Sequence, residues 1–451
     1  MKIVIIGGVA AGTSAAARAK RINPDAEITI YEQDKDISYS GCGLPYYVSD
    51  VVKERDDIII YTPEDFESTK GARVKTGHYV EEILVEKKQL VVKDVTTSKT
   101  KKINYDKLLI STGASSFIPP IKGIDLNNIF TLRNVENADQ IKAFLAKNKP
   151  TDVVIVGGGY IGLEMTESLL EHNLNLTIIE RSNQLLNNLD PDMAKIATNY
   201  LEKKGVTILT KKEVVGFKGK NQVEKVIIDT DEEIKTDFVI LALGVRPNVE
   251  LAKKAGIKLG ETGAIAVNSK METSIQDIYA AGDCAETEHL ITGEKVWIPL
   301  GSTANKQGRI AGSNLVGIDN QFNGVQGTSI TKVCDLVVAK TGLTAKEAKE
   351  IGCQFVTSTI EAPNHASYYP DYEKMTIKLV VDKKNKQILG GQIIGKGGVD
   401  KRIDILATAI YNKMKADDLI NLDLAYAPPF SVPKDGTMIA GLVASKEIEE
   451  E

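Results

Sequence analysis

A strand, a glycine-rich turn and a helix occur twice in this chain, and each time an acidic residue ends the strand that follows. The first copy runs from Lys2 to Ile6, through Gly7-Gly8-Val9-Ala10-Ala11-Gly12 and a helix to Arg21, into a strand from Glu27 to Tyr31 and then Glu32. The second runs from Asp152 to Val156, through Gly157-Gly158-Gly159-Tyr160-Ile161-Gly162 and a helix to His172, into Leu176 to Ile179 and Glu180. Short apolar strands joined by crossover helices require a parallel sheet covered on both faces. In such a turn the first glycine permits the tight bend and the second lets the backbone approach a pyrophosphate. The third lets helix and strand pack closely, with the helix N-terminus facing the anion. Gly157, Gly159 and Gly162 meet all three demands; Gly7 and Gly12 meet two, with Val9 in the middle position. Glu32 stands 20 residues after Gly12 and Glu180 stands 18 after Gly162, where a carboxylate accepts ribose hydroxyls. Two such loops in this context imply two separate dinucleotide sites.

At 451 residues the chain has room for about three domains. Its 42% hydrophobic and 26% charged content is that of a globular protein. A net charge of -5 argues against a nucleic-acid partner. Four cysteines and four histidines are too few and too scattered to suggest a disulfide framework or a structural zinc site. The N-terminal apolar run is only Ile3-Val4-Ile5-Ile6, and the basic Arg18-Ala19-Lys20-Arg21 stands where a signal peptide has its small-residue cleavage site. No stretch approaches the ~20 apolar residues of a membrane span, so a cytoplasmic protein without a membrane partner is expected.

Between the two loops, Asp106 to Ile110 reads as a strand running into Ser111-Thr112-Gly113-Ala114, and Pro119-Pro120 marks a crossing between domains. Phe238 to Gly244 repeats the strand-to-glycine form, and Ile278 to Asp283 ends in Gly282-Asp283. A flavin domain interrupted by a nicotinamide domain has to return to its cofactor, and Asp283 is placed to bind a ribityl hydroxyl there. Taken alone, Gly-Asp is better read as a simple turn; together with the two loops, the flavin reading prevails. From about Gly324 the pattern changes to alternating strands such as Thr376–Val381 and Gln387–Gly395, which predict an antiparallel sheet. Helices are expected at Lys401–Asn412 and Ala416–Asn421, and the charged tail from Lys446 is expected to fray.

Cys42 lies in Ile37-Ser38-Tyr39-Ser40-Gly41-Cys42-Gly43-Leu44-Pro45-Tyr46-Tyr47, with no second cysteine near it in sequence. Cys284, Cys334 and Cys353 are remote, and no Cys-x-x-Cys or Cys-x4-Cys spacing occurs. A redox cycle at Cys42 must therefore use a sulfenic acid or a mixed disulfide with an outside thiol. A helix N-terminus beside Cys42 and the small Gly41 and Gly43 would favour an approachable thiolate.

These motifs, together with Tyr426-Ala427-Pro428-Pro429-Phe430, give the chain a resemblance over essentially its whole length to the pyridine-nucleotide-disulfide oxidoreductases. It is most similar to their single-cysteine branch, which holds coenzyme A disulfide reductases, NADH oxidases and NADH peroxidases. The resemblance implies an α/β fold with two Rossmann-like dinucleotide-binding domains and an α+β C-terminal dimerisation domain. In these terms 1–112 and 245–323 form an FAD-binding domain, 113–244 an inserted NAD(P)H-binding domain, and 324–451 the dimerisation domain. FAD falls to Gly7, Gly12, Glu32, Thr112, Gly113, Gly282 and Asp283. NADH or NADPH falls to Gly157, Gly159, Gly162, Glu164 and Glu180. Family members work as homodimers in which the partner's C-terminal domain completes each active site.

Within the branch, oxidases and peroxidases carry a histidine in the first loop, where this chain has Ala10, so oxygen or peroxide chemistry loses its acid/base group. The disulfide reductases carry two C-terminal tyrosines, matched by Tyr426 and by Tyr368 in Asn364-His365-Ala366-Ser367-Tyr368-Tyr369-Pro370. Tyr369 competes for the second assignment, and plain surface packing competes with both. Ser14, Arg18, Arg21, Ser38, Lys70 and Lys434 match positions that bind coenzyme A, whose phosphates call for cationic donors. For Arg18 and Arg21 a solvated helix face is the competing account. Asn305 replaces a histidine that contacts substrate in a relative. The implied activity is FAD-dependent reduction of coenzyme A disulfide by NAD(P)H through a Cys42–coenzyme A mixed disulfide, with Tyr368 and Tyr426 donating protons. The alternatives are an oxidase or peroxidase with a Cys42 sulfenic acid, and a flavoprotein redox sensor without turnover.

Overall fold

The computed structural model describes residues 1–450. Both repeats form as the apolar runs predict: β1 (Lys2–Ile6), α1 (Ala10–Ile22) and β2 (Glu27–Tyr31), then β3 (Asp152–Val156), α2 (Tyr160–Leu170) and β4 (Asn175–Glu180). β1 pairs with β2 in parallel, Ile3 against Ile28 and Ile5 against Ile30, and β3 pairs with β4 likewise, Ile155 against Ile178. At each turn the first glycine adopts a left-handed conformation, φ 99° at Gly7 and 110° at Gly157. A Cβ at Gly12 would overlap the Gly7 carbonyl oxygen, and one at Gly162 would overlap that of Gly157. The middle position differs. Gly159 has an ordinary φ of −84°, Val9 one of −101°, and nothing lies within 4 Å of the point a Gly159 Cβ would fill. Neither φ calls for glycine, so a glycine at this position serves the approach of a ligand and not the turn itself.

The chain divides into two compact units. The first comprises Met1–Phe117, Leu132–Ala143 and Gly244–Val325. Its parallel sheet has the order Ile278–Ala280, Lys107–Ile110, β1, β2, Arg73–Lys75. A three-stranded antiparallel meander, His78–Leu84, Gln89–Asp94 and Thr100–Asn104, belongs to the same unit. α1 packs along α3 (Gly301–Leu315) at a spacing that only small residues allow. Cβ atoms at Gly308 and Gly312 would overlap the backbone oxygens of Ala11 and Ala15.

The second unit comprises Ile118–Thr131, Phe144–Leu243 and the chain from Gln326 onward. Its parallel sheet runs Thr207–Thr210, β4, β3, Phe238–Leu241, Ile129–Thr131. The C-terminal strands form the expected antiparallel sheet, in the order Ser329–Val333, Leu336–Gly342, Ile388–Gly395, Lys374–Asp382, Phe355–Pro363. α4 (Val399–Tyr411) and α5 (Gly436–Glu450) cover it. Ala416–Asn421 is a 3-10 helix, not an α-helix. The tail expected to fray is the last turn of α5, since Ala440 and Ala444 are fully buried and Lys386 lies 3.3 Å from Glu449. Among the described residues no helix is long and apolar enough to cross a membrane.

Gly312→Val tests the α1–α3 contact. Its side chain would press on Ala15, and overpacking of this kind costs about 1–3 kcal/mol. Urea unfolding should show a lower midpoint, while an equivalent change at Gly301, where nothing lies within 4 Å and φ is not left-handed, should cost less.

Candidate active site

In the first unit the strand-end carboxylate closes its own loop. Glu32 is buried and accepts hydrogen bonds from the N–H groups of Gly8 (2.7 Å) and Asp34 (3.1 Å). Burial pushes its pKa up against the pull of those donors. The second unit repeats the device: Glu180 accepts from Gly158 N–H (2.8 Å) and Ser182 N–H (2.8 Å). Carboxylate oxygens carry two lone pairs each, so both acids keep capacity for ribose hydroxyls.

Around the first loop the unit gathers the other residues singled out for a flavin nucleotide. Ser111 Oγ donates to the Ile6 carbonyl (2.7 Å). Thr112 Oγ1 donates to the Asn248 carbonyl (2.7 Å), and Asn248 Nδ2 returns a bond to the Thr112 carbonyl (2.8 Å). Gly113 and Gly282 are left-handed, at φ 66° and 85°, so both turns require glycine. A Cβ at Gly282 would press on Ala11, which sets Gly282-Asp283 beside the start of α1. The Asp283 carboxylate pairs with Arg133 (2.8 Å), whose Nε donates to the Ala114 carbonyl (2.7 Å). Gln307 Oε1 accepts from Gly282 N–H (2.8 Å). Sequence reasoning missed Arg133 and Gln307, because neither stands in a motif and their partners Asp283 and Gly282 lie 150 and 25 positions away.

Cys42 sits in a 3-10 turn, Gly41–Gly43, that leads directly into the short helix Leu44–Val48. Ser38 N–H donates to the Gly8 carbonyl (2.9 Å), which ties the start of this segment to the first loop. Ser40 N–H donates to Ile58 (2.8 Å) and its carbonyl accepts from Gly43 (3.0 Å). Cys42 is exposed and space beside Gly41 is open, whereas Cys284 is fully buried and burial raises its thiol pKa.

The positions matched to coenzyme A fall in two groups. Ser14, Arg18 and Arg21 lie on α1. Asn305 Nδ2, from α3, donates to Ser14 Oγ (2.8 Å), and Arg18 Nε donates to Ser313 Oγ (3.0 Å). Arg21 is exposed, and Lys70 Nζ stands 4.8 Å from the Tyr61 ring centre. The structure thus joins Ser14 with Asn305, residues 291 positions apart in sequence. Lys434 belongs to the second unit with Tyr368 and Tyr426, and all three are exposed, Tyr368 to 76% and Tyr426 to 51%. Tyr369 packs edge-on against His365, ring centres 5.6 Å apart, which leaves Tyr368 as the more exposed of the pair. Glu164, on α2, accepts from Thr331 Oγ1 (3.0 Å), and burial raises its pKa. Next to it, the Tyr160 hydroxyl meets Ser329 Oγ and Asn188 Nδ2, each at 2.6 Å.

Comparison with known proteins agrees with these features. Residues 1–308 match the sequence model of the pyridine nucleotide-disulphide oxidoreductases, and residues 328–435 match that family's dimerisation domain. An NADH oxidase of Methanocaldococcus jannaschii is 40% identical over 99% of both chains. A coenzyme A disulfide reductase of Staphylococcus aureus is 35% identical over 96% of this chain and 97% of its own. A solved NAD-dependent persulfide reductase from A. fulgidus superposes with a TM-score of 0.97 at 40% identity, over 100% of this chain and 84% of its own.

The contrast in thiol exposure is directly measurable. After mild reduction, iodoacetamide should label Cys42 in the native protein, and Cys284 should label only on unfolding. Mass spectrometry of the digest reads both, and native labelling of Cys284 at the rate of Cys42 would contradict the burial.

Proposed function

The chain belongs to the pyridine nucleotide-disulphide oxidoreductases, and on that footing we propose that it reduces coenzyme A disulfide with NAD(P)H through Cys42 as its one redox thiol. It is an FAD-dependent enzyme using a nicotinamide donor. FAD would be held by the first loop, with Glu32 toward the adenosine ribose and Asp283 toward the ribityl chain, and NAD(P)H by the second loop with Glu180. The fit rests on the open approach at Gly159 and on the glycine-enforced turns. When bound, FAD takes hydride from the nicotinamide and makes its electron pair available to sulfur.

The remaining chemistry belongs to the protein's own residues. The Cys42 thiolate attacks one sulfur of the disulfide, forming Cys42–S–S–coenzyme A and expelling one coenzyme A thiolate. An electron pair entering the mixed disulfide breaks its S–S bond, restores the Cys42 thiolate and releases the second thiolate. Each leaving thiolate takes a proton, for which Tyr368 and Tyr426 from the partner subunit of a homodimer are the proposed donors. The balance is NAD(P)H, one proton and one disulfide giving NAD(P)+ and two thiols. Arg18 and Arg21, with Lys70 and Lys434, are the proposed phosphate ligands. We place the reaction in the cytoplasm, where thiol pools keep such a cysteine reducible.

The observation that carries this reading is the bond from Ser38 N–H to Gly8, which tethers the segment of the exposed Cys42 to the first dinucleotide loop. A second reading, oxygen reduction through a Cys42 sulfenic acid, is favoured by the M. jannaschii relative. Ala10 offers no imidazole to that chemistry.

Steady-state NADH consumption with coenzyme A disulfide, glutathione disulfide and oxygen separates the readings. Coenzyme A disulfide should give the highest kcat/KM, Cys42→Ser should keep FAD and lose disulfide reduction, and intact-mass measurement should show a reducible coenzyme-A-sized adduct. Equal turnover with glutathione disulfide, or oxygen as the best acceptor, would overturn the proposal. NADH should also be used at least as well as NADPH, because Glu180 repels a 2′-phosphate and Arg181 is 3.6 Å from Glu213. A tenfold preference for NADPH, roughly 1.4 kcal/mol, would show that Arg181 outweighs Glu180.

A further inference from the structure

Arg402, on α4, heads the fully buried side chains by volume among the described residues. A guanidinium removed from water is costly unless its donors are satisfied. Here Nε and Nη2 form a fork onto Asp435, at 3.2 Å to Oδ1 and 2.8 Å to Oδ2. Nη1 donates to the Gly398 carbonyl and Nη2 also to the Asn364 carbonyl, both at 3.0 Å. Asp435 is buried as well, and its carboxylate also accepts from Thr437 N–H, Thr437 Oγ1 and Ser431 Oγ. Burial alone would raise its pKa, but the Arg402 charge and the Thr437 donors outweigh that and hold it low, so the pair stays ionised.

The positions of these partners give the pair its significance. Asn364 opens the segment that carries Tyr368, and its Oδ1 closes that segment by accepting from His365 N–H and Glu373 N–H, both at 2.9 Å. Asp435 ends the segment that carries Tyr426 and Lys434. Ala366 N–H donates to the Pro428 carbonyl (3.2 Å), joining the two segments. One buried guanidinium therefore holds the bases of both segments, while their aromatic tips are exposed. A well-packed apolar pair would often stabilise the fold as well or better; what a bidentate fork adds is a defined geometry at two backbone positions.

We propose that Arg402 and Asp435 are a positioning pair that sets Tyr368 and Tyr426 in place for proton donation, acting through those tyrosines and touching no substrate. This rests on the function proposed above for the two tyrosines. The test uses the FAD-loaded full chain and rapid-mixing measurement of two half-reactions: flavin reduction by NADH, and reoxidation by coenzyme A disulfide. Arg402→Lys keeps the charge and loses the fork. It should leave flavin reduction within twofold and slow reoxidation about tenfold or more, in line with losing transition-state hydrogen bonds. Added to Tyr368→Phe/Tyr426→Phe, Arg402→Lys should slow reoxidation no further, because both hydroxyls that the pair positions are then already gone.

A folded Arg402→Lys enzyme with normal reoxidation overturns the proposal, as does a further slowing when Arg402→Lys is added to Tyr368→Phe/Tyr426→Phe. If Arg402→Lys does not fold, Ser431→Ala decides, since it removes a single donor to Asp435. Ser431→Ala should slow reoxidation alone by about twofold to threefold; an unchanged rate, or equal slowing of both half-reactions, overturns the proposal. Tyr426→Phe by itself distinguishes the two levels. If it reoxidises normally, the reading of the tyrosines fails. If it is slow while Arg402→Lys is normal, only the positioning role fails.

Discussion

The carbonyl oxygen of Gly7 lies so close to the backbone of Gly12 that only a residue without a Cβ fits there, and the same closeness recurs between Gly157 and Gly162. This contact draws each helix onto its strand and points the helix N-terminus, with its partial positive charge, into the turn. The strand-end acids complete the arrangement, Glu32 by holding Gly8 and Glu180 by holding Gly158. Other parts of the first unit build on the turn. Gly8 receives the segment of Cys42, and Ala11 forms the floor under Gly282-Asp283 and the contact with α3. A residue with a larger side chain at Ala11 or Gly12 would disturb all of these together.

The four cysteines differ in environment, and environment, not residue type, sets how approachable a thiol is. Cys42 lies in an exposed turn between glycines at the start of a short helix, where approach is open. Cys284 occupies the core beside Ile110 and Ala281, and its burial disfavours the thiolate. Cys334 is also raised by burial, with the Glu167 carboxylate adding to the effect. The chemistry proposed for Cys42 thus follows from where the chain puts it.

The second unit relies on buried charge as well as apolar packing. Asp190 accepts from Gln392 Nε2 and from the backbone of Ala345, and it pairs with Lys378 at 3.1 Å. Arg402 and Asp435 do the same around the tyrosine-bearing segments. Such pairs are weak contributors to net stability but strict about geometry, since one partner without the other leaves a costly buried charge. They lie in the unit that leaves the aromatic residues Tyr368, Tyr426 and Phe430 exposed.

Sequence alone determined the features that local chemistry dictates. The two dinucleotide loops, their strand and helix bounds to within about two residues, the antiparallel C-terminal sheet and the isolation of Cys42 were all legible, because each depends on short-range periodicity or on glycine at a required φ. The tolerance of Val9 was not, since whether the middle position needs glycine depends on what approaches it. Nor was the helical tail, whose charged residues look frayed until Ala440 and Ala444 find a buried face. Arg133 on Asp283, Asn305 on Ser14 and Arg402 on Asp435 join residues 150, 291 and 33 positions apart. No periodicity reports such pairings. Only the folded backbone, by bringing distant donors and acceptors out of water together, decides which charges meet.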